Sequence, residues 1–255
     1  MDQFIKIKSL KKVFGEGEDE VHAFGPVDIS INSGEFVSVL GPSGCGKSTL
    51  MLMMAGLLEP TSGEISFDNK SVDGPKNDIG IMFQDNTLVP WRTVEGNIKL
   101  QLELRNLNLS DYKDKIFDIL KSVKLEDFAN RYPPELSGGM QQRAAFCQAM
   151  IHEPNTILLD EPLGKLDAMT REKIRSDIQN LWMINKPTVV FVTHSIEEAV
   201  QLSSRVILIS PRPGVVDREI NIDLPYPRDL EVKKSNKFYE YVYEIQEVFH
   251  EYGVI

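Results

Sequence analysis

Residues 41–48 read Gly41-Pro42-Ser43-Gly44-Cys45-Gly46-Lys47-Ser48, after the apolar run Phe36-Val37-Ser38-Val39-Leu40 and before Thr49-Leu50-Met51-Leu52. The eight residues fit the pattern G-x-x-x-x-G-K-[ST]. Gly41, Gly44 and Gly46 let the backbone approach phosphate oxygens with no side chain in the way. The loop opens a helix, expected from Lys47 to Gly56, whose free N–H groups and dipole favour negative charge. Lys47 supplies a point charge to the β- and γ-phosphates of a nucleotide, and the Ser48 hydroxyl is placed to coordinate Mg²⁺. Pro42, Ser43, Cys45 and Thr49 complete the expected binding stretch. Because Cys45 lies inside it, bound ATP is expected to shield the thiol from reagents.

Further along, the hydrophobic run Ile157-Leu158-Leu159 delivers Asp160 and Glu161 at a strand end. There Asp160 can hold a metal ion, through water, and Glu161 is the candidate base that orients and activates an attacking water. Gln84 ends another short strand, Ile79 to Phe83, and can reach the metal shell as a neutral donor and acceptor. Phe14 is the candidate for stacking on adenine, with Phe24 as its competitor.

The chain has 255 residues, 42% hydrophobic and 26% charged, with a formal net charge of -10. The acidic balance argues against nucleic acid as a partner. The longest apolar run, Leu50 to Leu58, falls far short of the ~20 residues of a membrane helix. The N-terminal MDQFIKIKSLKK alternates like a strand and lacks the apolar centre of a secretion signal. A cytoplasmic location is therefore expected, and Cys45 and Cys147 read as free thiols.

Period-two patterning places strands at Phe4–Lys8 and Val27–Ile31, with an acidic turn at 15–20 between them. A strand at Glu64–Phe67 follows the phosphate-loop helix. From Thr93 to about Lys124 the pattern turns helical, and a further helix runs from Gly138 to His152. Then come a strand (Thr156–Leu159), a helix (Arg171–Ile184), a strand (Thr188–Thr193), a short helix (Ile196–Leu202) and a strand (Val206–Ile209). Alternating strands and helices predict an α/β fold with a mostly parallel sheet. The stretch of roughly 85–140 reads as an inserted helical subdomain. The tail carries Phe238, Val242, Ile245, Phe249 and Tyr252 at helical spacing, a stripe expected to dock on the core.

Leu136-Ser137-Gly138-Gly139-Met140, followed by Gln141-Gln142-Arg143, resembles the signature of ATP-binding-cassette ATPases. With the phosphate loop upstream and Asp160-Glu161 downstream, the resemblance covers nearly the whole chain, to about Asp223. It implies a P-loop NTPase core with an N-terminal antiparallel β subdomain and an inserted α-helical subdomain. The corresponding division is a nucleotide-binding domain over 1–223 and a helical tail over 224–255. It also implies ATP and Mg²⁺ as cofactors, and two copies meeting head to tail with each ATP between one phosphate loop and the other copy's signature. Ser137, Gly138 and Gly139 would then face the γ-phosphate. Asp167 matches the family's aspartate at the dimer seam, and His194 its switch histidine. Two residues depart from the pattern: Met140 stands where many members have Gln, and Lys165 where a small residue is expected.

Leu88-Val89-Pro90-Trp91-Arg92-Thr93-Val94 and Ile209-Ser210-Pro211-Arg212-Pro213-Gly214 are similar to segments of importers for nitrate, sulfonates and taurine. The first would dock the membrane permease, with Trp91 as its anchor. The resemblance thus implies the energy-coupling subunit of a bacterial importer for a small polar or anionic solute. Such a subunit is peripheral on the inner face of the cell membrane and works with permease subunits and an extracytoplasmic solute-binding protein. The alternatives are a soluble cassette ATPase acting on ribosomes or DNA, and an exporter subunit. A single phosphate loop and the short helical insertion argue against the ribosomal and DNA-repair readings.

Overall fold

The computed structural model describes residues 3–85, 87–164 and 166–253. The chain divides into two compact units, Met1–Lys76 with Lys186–Ile255, and Asn77–Asn185.

The first unit opens with β1 (Gln3–Phe14) and β2 (Val21–Asn32), an antiparallel pair. Both run well past the expected strands. The register shifts between Ile7 and Leu10, where Ser9 takes φ +45°, and this bulge breaks the alternation that a sequence reading follows. β3 (Phe36–Leu40) is buried throughout and feeds the loop before α1 (Lys47–Met54). β4 (Ser62–Phe67) pairs antiparallel with β1, and β5 (Lys70–Ser71) finishes a four-stranded sheet.

The second unit contains β6 (Ile79–Met82), α2 (Val94–Leu104), α3 (Lys113–Ser122), α4 (Gly138–Met150), β7 (Thr156–Asp160) and α5 (Ala168–Asn185). β6 and β7 pair in parallel. Helix starts follow capping chemistry: Thr93 accepts from the Gly96 N–H, and Ser137 from the Met140 N–H.

The first unit resumes with β8 (Thr188–Thr193), α6 (Ile196–Leu202), β9 (Arg205–Ile209), β10 (Val216–Asn221), α7 (Leu230–Lys233) and α8 (Asn236–Glu251). β3 lies between β8 and β9, parallel to both, and β10 adds antiparallel to β9. β10 has no counterpart in the sequence reading. Of its residues only Ile220 is buried, so an edge strand reading Val-Asp-Arg-Glu-Ile-Asn gives little hydrophobic signal.

The tail docks on this unit, as its apolar stripe predicts. Phe238, Val242, Ile245, Val248 and Phe249 of α8 pack with Leu40, Ala199, Val200 and Leu208. Arg228, 1% exposed, locks the junction. Its guanidinium donates to the carbonyls of Val200 (2.7 Å), Ser203 (2.6 Å), Ile222 (3.0 Å) and Leu224 (3.2 Å). The Tyr226 hydroxyl adds a bond to the Leu202 carbonyl at 2.9 Å. The bonds to Val200, Leu202 and Ser203 satisfy carbonyls at the C-terminal end of α6, which has no later turn of helix to accept from, and those to Ile222 and Leu224 tie in the chain after β10.

Candidate nucleotide-binding site

The phosphate loop begins where β3 ends and hands over to α1 at Gly46, in the left-handed region at φ +98°. That conformation, which glycine alone adopts freely, turns the chain into α1, whose free N-terminal N–H groups favour an anion. Lys47 is 5% exposed, and its Nζ donates to the carbonyls of Gly41 and Pro42, each at 2.9 Å. The loop's own backbone thus holds the ammonium across the loop. Ser43, Gly44 and Ser48 are exposed, while Pro42 and Thr49 are half-buried.

Cys45 is 1% exposed. Burial raises its pKa, against the lowering influence of nearby Lys47. Burial leaves little of this thiol open to reagents.

Phe14 ends β1 and is 42% exposed, with the Lys12 ammonium 5.1 Å from its ring centroid. Phe24, its competitor, is fully buried against Gly46 and belongs to the core. His194 is exposed between β8 and α6. The turn around it is braced: Thr193 Oγ1 donates to Glu198 at 2.7 Å and accepts from the Ser195 N–H at 3.0 Å.

The second unit holds the remaining residues. Asp160, 7% exposed, ends β7, and Glu161 follows in the left-handed region at φ +44°. A non-glycine residue there costs on the order of 1 kcal/mol, a strain concentrated at functional sites. Gln84 donates from Nε2 to Glu161 Oε2 at 2.9 Å, so these two expected residues do meet. The glutamine orients the carboxylate as well as standing at the end of its own strand.

Ser137 caps α4, placing the N-terminus of that helix at the signature. A Cβ on Gly139 would lie 2.4 Å from Thr170 Cγ2, so any side chain there would have to displace that methyl on α5. The following Gln141-Gln142-Arg143 all serve to hold this arrangement. Gln141 donates to the Pro133 carbonyl (2.8 Å), Gln142 to that of Pro162 (2.5 Å) and Arg143 to that of Val123 (2.6 Å). The Gln142 bond ties the signature helix to the chain two residues after Asp160. Met140 is half-buried, and Lys165 lies outside the described residues.

Asp167 accepts the N–H groups of Met169 (3.1 Å) and Thr170 (3.0 Å), which explains why α5 starts at Ala168, three residues before expected. Hydrogen bonds from Thr170 hold its carboxyl below the usual aspartate range. Trp91 is 78% exposed. The loop that presents it is fastened by Asn97, 0% exposed, which donates to the carbonyls of Val89, Arg92 and Thr93 and accepts from the Val89 N–H at 2.7 Å. Nothing in the local pattern marks Asn97 beyond a polar residue on an apolar helix face.

The family pattern described as ABC transporter matches residues 24–164. An uncharacterised ABC transporter ATP-binding protein of Methanocaldococcus jannaschii is 42% identical over 93% of this chain and 88% of its own length. The chain belongs to the ABC transporter ATPases. The aliphatic sulfonates import ATP-binding protein SsuB of Bacillus cereus is 40% identical to this ABC ATPase, over 98% of the chain and 96% of the relative. Among solved structures, an ATP-binding cassette in a dimeric post-hydrolysis state with ADP and Pi superimposes with a TM-score of 0.76 at 35% identity. That match covers 86% of this chain and 98% of the other. The chain is therefore an ATP-binding, ATP-hydrolysing subunit with the cassette fold that its sequence predicted. Among the described residues no helix is long and apolar enough to cross a membrane.

Proposed function

We propose that this ABC ATPase powers import of a small polar or anionic solute, sulfonates being the leading class. The observation that carries the proposal is the near end-to-end likeness to an aliphatic sulfonate import subunit. Exposed Trp91 on its fastened loop supports a protein partner, because a large amphipathic ring on a rigid surface loop is typical of interface anchors. Two copies form a nucleotide-sandwich dimer on the cytoplasmic face of the membrane, where they move a pair of permease subunits fed by a solute-binding protein. A relative's dimeric structure with ADP and Pi supports the dimer.

In this reading the backbone of residues 41–49 and the Lys47 ammonium hold the phosphates, and Phe14 stacks on the adenine. Ser137, Gly138 and Gly139 present the N-terminus of α4 to the γ-phosphate bound by the other copy, as a helix dipole favours. Asp167 lies at the seam between the copies. Ser48, Asp160 and Gln84 offer hard oxygen donors that suit Mg²⁺, which would neutralise charge developing on the phosphates. Glu161, oriented by Gln84, takes a proton from the attacking water, and His194 positions the γ-phosphate. ATP favours the closed dimer because its phosphates are satisfied only when both copies contribute, and hydrolysis releases that preference.

Glu161→Gln tests the chemistry. It keeps the hydrogen-bonding shape while removing the base, so ATP binding persists, turnover falls about 100-fold or more, and an ATP-bound dimer accumulates in size-exclusion chromatography. Normal hydrolysis would remove Glu161 from the role. Reconstitution with permeases and binding protein in vesicles tests the import direction. Sulfonate-stimulated ATPase activity with inward transport is expected, and activity indifferent to any permease would favour a soluble ATPase instead.

A further inference from the structure

The β9–β10 connection, Ser210 to Val215, enters the functional reading only as a family likeness. Its position gives it a physical task. A Cβ placed on Gly214 would fall 1.9 Å from the carbonyl oxygen of Cys45, inside the phosphate loop. Gly214 does not have a positive φ, so a lack of room, and not backbone conformation, demands glycine there. At the other end of the same connection, the Ile209 carbonyl oxygen sits 2.8 Å from where a Cβ of Gly41 would be. The hairpin therefore presses on both flanks of the loop.

The opposite jaw is β2. A Cβ on Gly46 would meet the Ala23 carbonyl at 2.5 Å and the Phe24 ring at 2.9 Å. The Gly25 N–H donates to the Gly214 carbonyl at 2.8 Å, joining the two jaws around Cys45 and Gly46. Ser210 stiffens the hairpin: its backbone N–H donates to the Val215 carbonyl at 3.0 Å, and its hydroxyl accepts from the Val215 N–H at 3.2 Å.

The Cys45 carbonyl and the Gly46 N–H belong to one planar peptide group. Whatever pushes on that oxygen rotates the N–H, one of the backbone donors that a loop of this kind aims at phosphate. We propose that Gly214 is a positioning residue for the nucleotide: by carrying no side chain it lets the β9–β10 hairpin seat against Cys45 and fix the direction of the Gly46 N–H. This inference rests on residues 41–48 being the phosphate site.

The test compares full-length wild type, Lys47→Ala, Gly214→Ala and Gly63→Ala by calorimetric titration with ADP, beside melting temperatures without nucleotide. Gly63 is another crowded glycine of the same unit, at φ +85°, its Cβ position 2.4 Å from the carbonyl oxygen of Ser9 rather than from any residue of the loop. Gly214→Ala is expected to weaken ADP binding about tenfold or more, while Gly63→Ala lowers the melting temperature and leaves affinity within about twofold of wild type. Wild-type affinity in Gly214→Ala, or an equal loss in Gly63→Ala, overturns the proposal. Should Gly214→Ala not fold, Ser210→Ala loosens the same hairpin and is expected to lose about threefold in affinity; unchanged binding there overturns it equally. Undiminished binding by Lys47→Ala would instead sink the assignment of the loop, whatever Gly214 does.

Discussion

Gly139 and Thr170 meet so closely that their contact can be separated from any contact with phosphate. Gly139→Ala forces a methyl against Thr170 Cγ2 and should cost roughly 1–3 kcal/mol, the usual penalty of overpacking. Thr170→Ser deletes that methyl. The double variant should recover most of the lost melting temperature while its ATPase activity stays low, if Gly139 also faces the γ-phosphate. Recovery of both together would reduce Gly139 to a packing role. At this scale the sequence was most informative where chemistry is local. Lys47, Asp160 and Glu161 could be named because each follows its strand within a few residues. Gly214 and Gln142 stood out only as members of family-like segments, since what they meet are the carbonyls of Cys45 and Pro162, and no spacing rule links those positions.

Elements were legible where one face is apolar and hidden where it is not: β8 and α6 have the expected bounds, whereas the polar edge strand β10 left no trace. Two elements of the second unit carry predictions. Asn97→Ala deletes the side chain that fastens residues 89–93 to α2. Buried N–H and carbonyl groups left unpaired cost about 1–3 kcal/mol each, so proteolysis at this loop should quicken and any permease coupling through Trp91 should weaken. His152, just beyond α4, has its pKa lowered to about 4, first by burial and then by the Arg105 charge, while Asp78 acts in the opposite direction. Its folded pKa lies below the unfolded value of 6.5, so between those limits the unfolded chain binds more protons. Stability should therefore drain away as pH falls from 6.5 towards 4. In denaturant titrations across that window, His152→Gln should flatten the slope.

On the scale of the whole molecule, repeated apolar patterning foretold the α/β fold and the docking of the tail, while the cassette itself was legible only through the resemblance of its signature. Nothing in the sequence warned of Arg228, since a buried arginine that donates to backbone carbonyls has no sequence pattern of its own. Arg228→Ala should destabilise the chain by about 3–5 kcal/mol, and Arg228→Lys should not rescue it, because an ammonium cannot reach four divergent acceptors as a planar fork does. Chemical denaturation of both variants measures this.

That fork has a practical corollary for anyone recombining such subunits. The end of α6 borrows its finish from a side chain some 25 residues downstream, counted from Ser203 to Arg228. A graft that swaps the tail upstream of position 228 must bring an arginine shaped for this host's helix, or leave frayed carbonyls behind. Splicing beyond it keeps donor and acceptors in the same parent.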